Sequence, residues 1–151
     1  MKSSFKMEGL REIDNSLAAL PKATSKAVVR RALAKELQPV ADMANSLWPG
    51  SRDDAFGVSS KLKRGQPESE ASATAVTMYV GSTPRAPHAH LLEWGTEPRF
   101  HKSGKYVGAV APQPMLTPSW DALKGQILEG IAASLREEIE AAIARRAKRG
   151  L

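Results

Sequence analysis

The 151-residue chain has no cysteine, which excludes disulfides and thiolate metal sites. It has no run of about 18 apolar residues, the length a membrane-spanning helix needs. Lys2 and Lys6 lead into no apolar segment, so no secretory signal is expected. Aromatics are few (three Trp, two Tyr and three Phe), which leaves little for stacking on unpaired bases. There is no Gly-x-Ser-x-Gly, no thiol and no glycine-rich phosphate loop, so no nucleophile or nucleotide-binding arrangement stands out. These absences predict a protein without catalytic chemistry or cofactor, living or assembling in the cytosol. Acid is also the minority charge: 16 acidic against 22 basic side chains leave a net charge of +6. Such an excess serves solubility, or faces phosphate or an acidic partner.

What is present is ordinary for a globular protein, at 42% apolar and 25% charged residues. The length supports one domain spanning residues 1–151. Weak alternation from Lys2 to Met7 predicts a short strand, and Leu10, Ile13, Leu17 and Leu20 predict a short amphipathic helix that stops before Pro21. Val29, Leu33, Leu37, Val40, Ala44 and Leu47 recur at three and four residues and form an inward stripe. Pro39 interrupts this helix without shifting its phase, which predicts a kink rather than an end. Val58 to Arg64 and Ala73 to Val80 read as strands, the second ending at Gly81-Ser82-Thr83-Pro84. Trp120, Leu123, Ile127, Ile131, Leu135, Ile139 and Ile143 mark a last long helix from about Leu116 to Arg146. Gly125 and Gly130 each weaken it by about 1 kcal/mol unless something packs closely there. The expected architecture is α+β: two long helices covering one face of a small, mostly antiparallel sheet. Mobile loops are expected at about 49–72 and 98–111, the latter as a long hairpin, a flap or a disordered loop.

The most informative stretch is Ala86 to Trp120. It holds all three histidines and Pro87, Pro98, Pro112, Pro114 and Pro118. Two phrases stand out within it. One is Glu93-Trp94-Gly95-Thr96, where Gly95 permits positive φ and lets Trp94 point inward as the chain reverses. The other is Pro112-Gln113-Pro114-Met115-Leu116-Thr117-Pro118-Ser119-Trp120, which opens the last helix, with Pro118 suited to its first turn.

Together the phrases resemble the neck or tail-completion proteins of long-tailed double-stranded DNA phages, of the gene-product-ten type. That family reads small-His/Tyr-x-x-Glu-aromatic-Gly-Thr, then a loop, then Pro-x-Pro-Phe-Leu-x-Pro-Ala before the last helix. The matching positions are Ala89, Glu93, Trp94, Gly95 and Thr96, then Pro112, Pro114, Leu116 and Pro118. Departures are Trp94 for Phe or Tyr, Met115 for Phe, Thr117 for a frequent Arg, and Ser119 for Ala. The third removes a charge partner. The resemblance implies a strand near residue 58, after a turn kept here only as Phe56-Gly57-Val58. It also implies a structural virion protein at the head-proximal end of the tail, assembled in the host cytoplasm. The implied partners are copies of itself in a ring, with a hexamer favoured, the tail-terminator protein and head-closure or connector proteins. Glu93 then serves the structure, either by bonding local amides around the Gly95 turn or by pairing with Arg99.

Two other classes remain open. Arg145, Arg146, Lys148 and Arg149 crowd the end of the last helix, as the helix dipole favours. They are the candidate DNA-facing residues of a nonspecific DNA-binding protein or of a channel that passes a genome. His88, His90 and Glu93 are the one cluster suited to zinc. On an extended backbone the two imidazoles share a face, which would make a small metal-dependent hydrolase. A solvated face is the ordinary reading of Lys22, Lys26 and Lys35.

Overall fold

Prolines and glycines punctuate the chain, and the apolar periods between them set its elements. The computed structural model describes residues 9–50, 52–63, 66 and 75–150. The strand expected at Lys2 to Met7 lies outside them. Helix α1 covers Leu10–Ala18 and α2 covers Lys22–Ser46. Pro21 separates them, and the Ser25 hydroxyl donates to the Leu17 carbonyl at 2.6 Å, tying the end of α1 to the start of α2. Helix α2 runs on through Pro39. The carbonyl deprived of its helical donor belongs to Lys35, and both Lys35 and Pro39 are exposed.

Strand β1 is Phe56–Ser59 and β2 is Tyr79–Ser82, paired antiparallel with Phe56 opposite Ser82 and Ser59 opposite Tyr79. Each overlaps the expected strand, Val58–Arg64 or Ala73–Val80, by only two residues, at 58–59 and 79–80, while Arg64, Ala73 and Thr74 lie outside the described residues. Helix α2 sets the new position. Buried Asn45 accepts from the Phe56 amide at 2.8 Å and donates to the Phe56 carbonyl at 3.0 Å, which pins β1 at its first residue. Its side-chain nitrogen also reaches the Asp53 carbonyl at 2.9 Å. The pairing then carries Gly81 inside β2, opposite Gly57, instead of ending the strand there.

Helix α3 (Ala89–Trp94), strands β3 (Thr96–Phe100) and β4 (Tyr106–Val110), and helix α4 (Leu116–Lys148) complete the order. The chain is α+β, with antiparallel strands and two long helices that pack on each other and on β1 and β2. Among the described residues the strands form two separate ribbons, β1–β2 and β3–β4, where one sheet was expected.

The α2–α4 seam is built on small residues. Val28, Ala32 and Ile13 pack with Leu135, Ile139 and Ala142. Leu37 and Val40 pack with Ile127, and Ala41 and Ala44 pack with Phe56, Ala86, Ala89 and Met115. The buried line of α2 holds as expected at Leu37, Val40 and Ala44, but is rotated in the first half of the helix, where Val28 and Ala32 are buried and Val29 and Leu33 only half-buried, and Leu47 is exposed. On α4 the expected stripe holds at Ile127, Leu135 and Ile139, but both its ends, Trp120 and Ile143, are exposed. Alanine and serine let the two helices approach closely, and the larger side chains move to the margins. Gly130 belongs to this seam. A Cβ there would lie 2.8 Å from Cδ of Glu36, whose carboxylate accepts a hydrogen bond from the Ser134 hydroxyl. Gly125 has no such neighbour and simply weakens the helix.

Candidate functional site

The two signature phrases meet at the start of α4. Helix α3 buries Ala89 and Glu93, one turn apart, on a single face. Glu93 is only 6% exposed. Its Oε2 accepts from the amides of Met115 at 2.7 Å and Leu116 at 3.0 Å, and its Oε1 accepts from Thr117 at 2.8 Å. The next residue, Pro118, has no amide proton to place. One carboxylate from another element thus satisfies the first-turn donors of a 33-residue helix. This corrects the expected role. Glu93 bonds amides 22 to 24 residues further along, not those of its own turn, and its oxygens are committed to them rather than to Arg99. Burial alone would push the Glu93 carboxyl up, but the amide bonds from Met115, Thr117 and Leu116 outweigh it and hold its pKa below the ordinary range.

Gly95 performs the reversal, with φ 73° and ψ −179°, a region almost restricted to glycine. A side chain there would collide, because its Cβ would lie 2.7 Å from the Val110 carbonyl oxygen and 2.8 Å from Cδ of Pro112. The neighbouring bonds close the junction. The Gln113 amide donates to the Leu92 carbonyl at 2.7 Å, and the Val110 amide donates to the Thr96 hydroxyl at 2.9 Å. Pro112 and Pro114 remain exposed while Leu116 is half-buried.

Trp94 does not point inward. It is 72% exposed. In a helix the residue after Glu93 lies about 100° further round, so burying Glu93 turns Trp94 out. From Gly95 the β3–β4 ribbon projects. Thr96 opposes Val110 and Phe100 opposes Tyr106, with register shifts around Arg99 and Pro98 within β3. The turn closes through the His101 amide to the Lys105 carbonyl at 2.8 Å, with Gly104 at φ 84°. Phe100 and Tyr106 are 63% and 58% exposed, and their rings lie 5.5 Å apart between centroids, tilted at 58°. The segment at 98–111 is thus a hairpin, one of the three forms left open for it.

The zinc reading meets a different geometry from the one it assumed. His88 caps α3 and His90 lies inside it, so the two are two helical steps apart and point apart rather than sharing a strand face. The His88 ring lies edge-on to Trp48 at 5.9 Å, and His90 Nδ1 is 3.0 Å from the Pro87 carbonyl oxygen. With Glu93 engaged by three amides, the trio does not fit a metal. Among the described residues no group of three His, Cys, Asp or Glu side chains is arranged to hold one.

Arg145, Arg146 and Lys148 lie in the last turn of α4, and Arg149 caps it. Three of them, without Lys148, line a cleft against the start of α2. Sequence reasoning missed the two polar anchors, Asn45 and the Glu36–Ser134 pair. Asn45 carried a signal: it is a polar residue directly after Ala44 on the apolar stripe. No protein-family model matches the chain, and neither does any curated protein or solved structure.

Proposed function

We propose that this chain is a non-catalytic structural protein of a phage head–tail junction. It assembles with copies of itself into a ring, a hexamer being favoured, at the head-proximal end of the tail. There it completes the tail and permits head joining and genome passage. The observation that supports this reading is the β3–β4 hairpin, which presents Phe100, Tyr106 and Val107 to solvent with exposed Trp94 at its base. Large aromatics are the usual anchors of protein interfaces, and a projecting cluster of them is unusual on a protein that acts alone. A ring needs a different patch on each side of the subunit, and a hairpin reaching onto the next copy supplies one half of such a contact. The junction of Glu93, Gly95 and α4 holds the base of the hairpin rigidly against the body. The tail-terminator and head-closure proteins would meet the outer faces of the ring.

Native mass measurement of the purified protein at several concentrations tests the ring. A closed oligomer is expected, and a monomer at all concentrations would sink the proposal. A phage with an early stop codon in the corresponding gene tests the role. Electron microscopy should show filled heads and normal-length tails unjoined. Empty heads would point to packaging or head closure instead, and abnormal tail lengths to a terminator.

A further inference from the structure

The start of α2 and the end of α4 carry positive charge only. No acidic residue occurs between Asn15 and Lys35 or after Glu140. The fold brings these two stretches together. Between the first turns of α2 and the last turns of α4 lies a cleft of about 460 Å³ lined by Arg31, Arg145, Arg146 and Arg149. Its opposite wall is Ala23, Thr24 and Ala27. Among the described residues no carboxylate lines it. Arg31 is tethered through Nε to Glu138 at 3.0 Å, which leaves its terminal nitrogens available. Arg145, Arg146 and Arg149 have no carboxylate partner among the described residues.

We infer that this cleft is a binding site for the phosphate backbone of duplex DNA. Several arginines in a concave space repel one another unless an anion joins them, and guanidinium forks match phosphate oxygens in pairs. The small side chains of the α2 wall leave room for a phosphate to come close, and Thr24 adds a hydroxyl donor. Arg145 and Arg149 stand one helical turn apart, about 6 Å along the axis, so they reach different phosphates of one strand. Among the described residues no aromatic lines the cleft, so they offer no platform for stacking bases. Binding is therefore electrostatic and independent of base sequence. The site belongs to the single subunit and stands whether or not the chain forms a ring.

The test is fluorescence anisotropy with a labelled 20-base-pair duplex across a salt series. The proteins are the wild-type chain, a triple variant Arg145→Gln, Arg146→Gln and Arg149→Gln, and a control with Arg11→Gln, Lys63→Gln and Lys124→Gln. Both triples remove the same charge from exposed or half-buried positions, and thermal melts verify that both fold. The cleft variant should bind more than about tenfold more weakly near 0.1 M salt, with the log–log salt slope reduced by about 3. The control should lose less than about threefold. A third protein with Lys at the three cleft positions should keep the slope within about 1. Equal losses in the two Gln variants would mean that net charge alone matters, and would overturn the site. Absence of wild-type binding at low salt would do the same. If the cleft variant kept its DNA affinity but lost self-association, the occupant would be an acidic surface of a second copy, and the DNA reading would fall.

Discussion

The α2–α4 seam and the β3–β4 hairpin follow opposite rules. Along the seam, alanines, a glycine and Ser134 replace bulk with close approach, and Glu36 accepts from Ser134 across it. The surface ion pairs Arg31–Glu138 at 3.0 Å and Lys35–Glu137 at 2.7 Å flank it, where solvent and salt screen them. The hairpin instead holds its largest side chains in water and pairs its strands only with each other. The seam satisfies itself. The hairpin leaves its aromatics unused by the fold, which is why the proposed assembly role is placed on it. The Glu93–Gly95 junction stands between the two, and it fixes where the hairpin leaves the body.

The contrast breaks most sharply at the junction. Gly95→Val places a branched side chain at positive φ and against Val110 and Pro112. It should cost about 4 kcal/mol or prevent folding, read as soluble yield and melting temperature. A loss below about 1 kcal/mol would show that the reversal can relax.

Next come two positions on the same expected stripe. Leu135→Ala should cost about 3 kcal/mol, because Leu135 is buried in the seam. Ile143→Ala should cost about 0.5 kcal/mol or less, because Ile143 is 52% exposed. Chemical denaturation compares them, and equal costs would move the seam.

Glu93→Gln should lose about 2 kcal/mol at pH 7, since a charged acceptor of three amide bonds becomes a neutral one. The Glu93 carboxyl has a lowered pKa in the folded state. Its contribution is therefore complete above the unfolded value of about 4.3 and disappears as pH falls through the lower folded value. The stability curves of wild type and variant should converge in that acid range. A constant gap down to the lowest pH would assign the loss to packing instead of charge.

The smallest effect on stability belongs to the hairpin. Replacing Trp94, Phe100 and Tyr106 with Ser should change stability by about 1 kcal/mol, mainly through the lost Phe100–Tyr106 ring contact. The same variant should lose self-association in native mass measurement. A large stability loss with assembly intact would make the hairpin part of the body and reverse the comparison.

Much of this was legible in the chain itself. Apolar spacing marked α1, α2 and α4 because a helix repeats every 3.6 residues whatever it packs on. Pro21, Gly95 and Pro118 marked a boundary, a reversal and a first turn because their backbone preferences are local. Which residues in the first half of α2 would be innermost was not local. It depended on how closely α2 and α4 approach, and small residues rather than the largest apolar ones settled that. The strand positions depended on Asn45 reaching Phe56 across 11 residues. Glu93 was recognisable as a residue that serves the structure, but its partners lie at the start of another helix, and no spacing within its own phrase could reveal them. Burying that carboxylate against α4 turned Trp94 outward, since adjacent helical residues cannot both face the same neighbour.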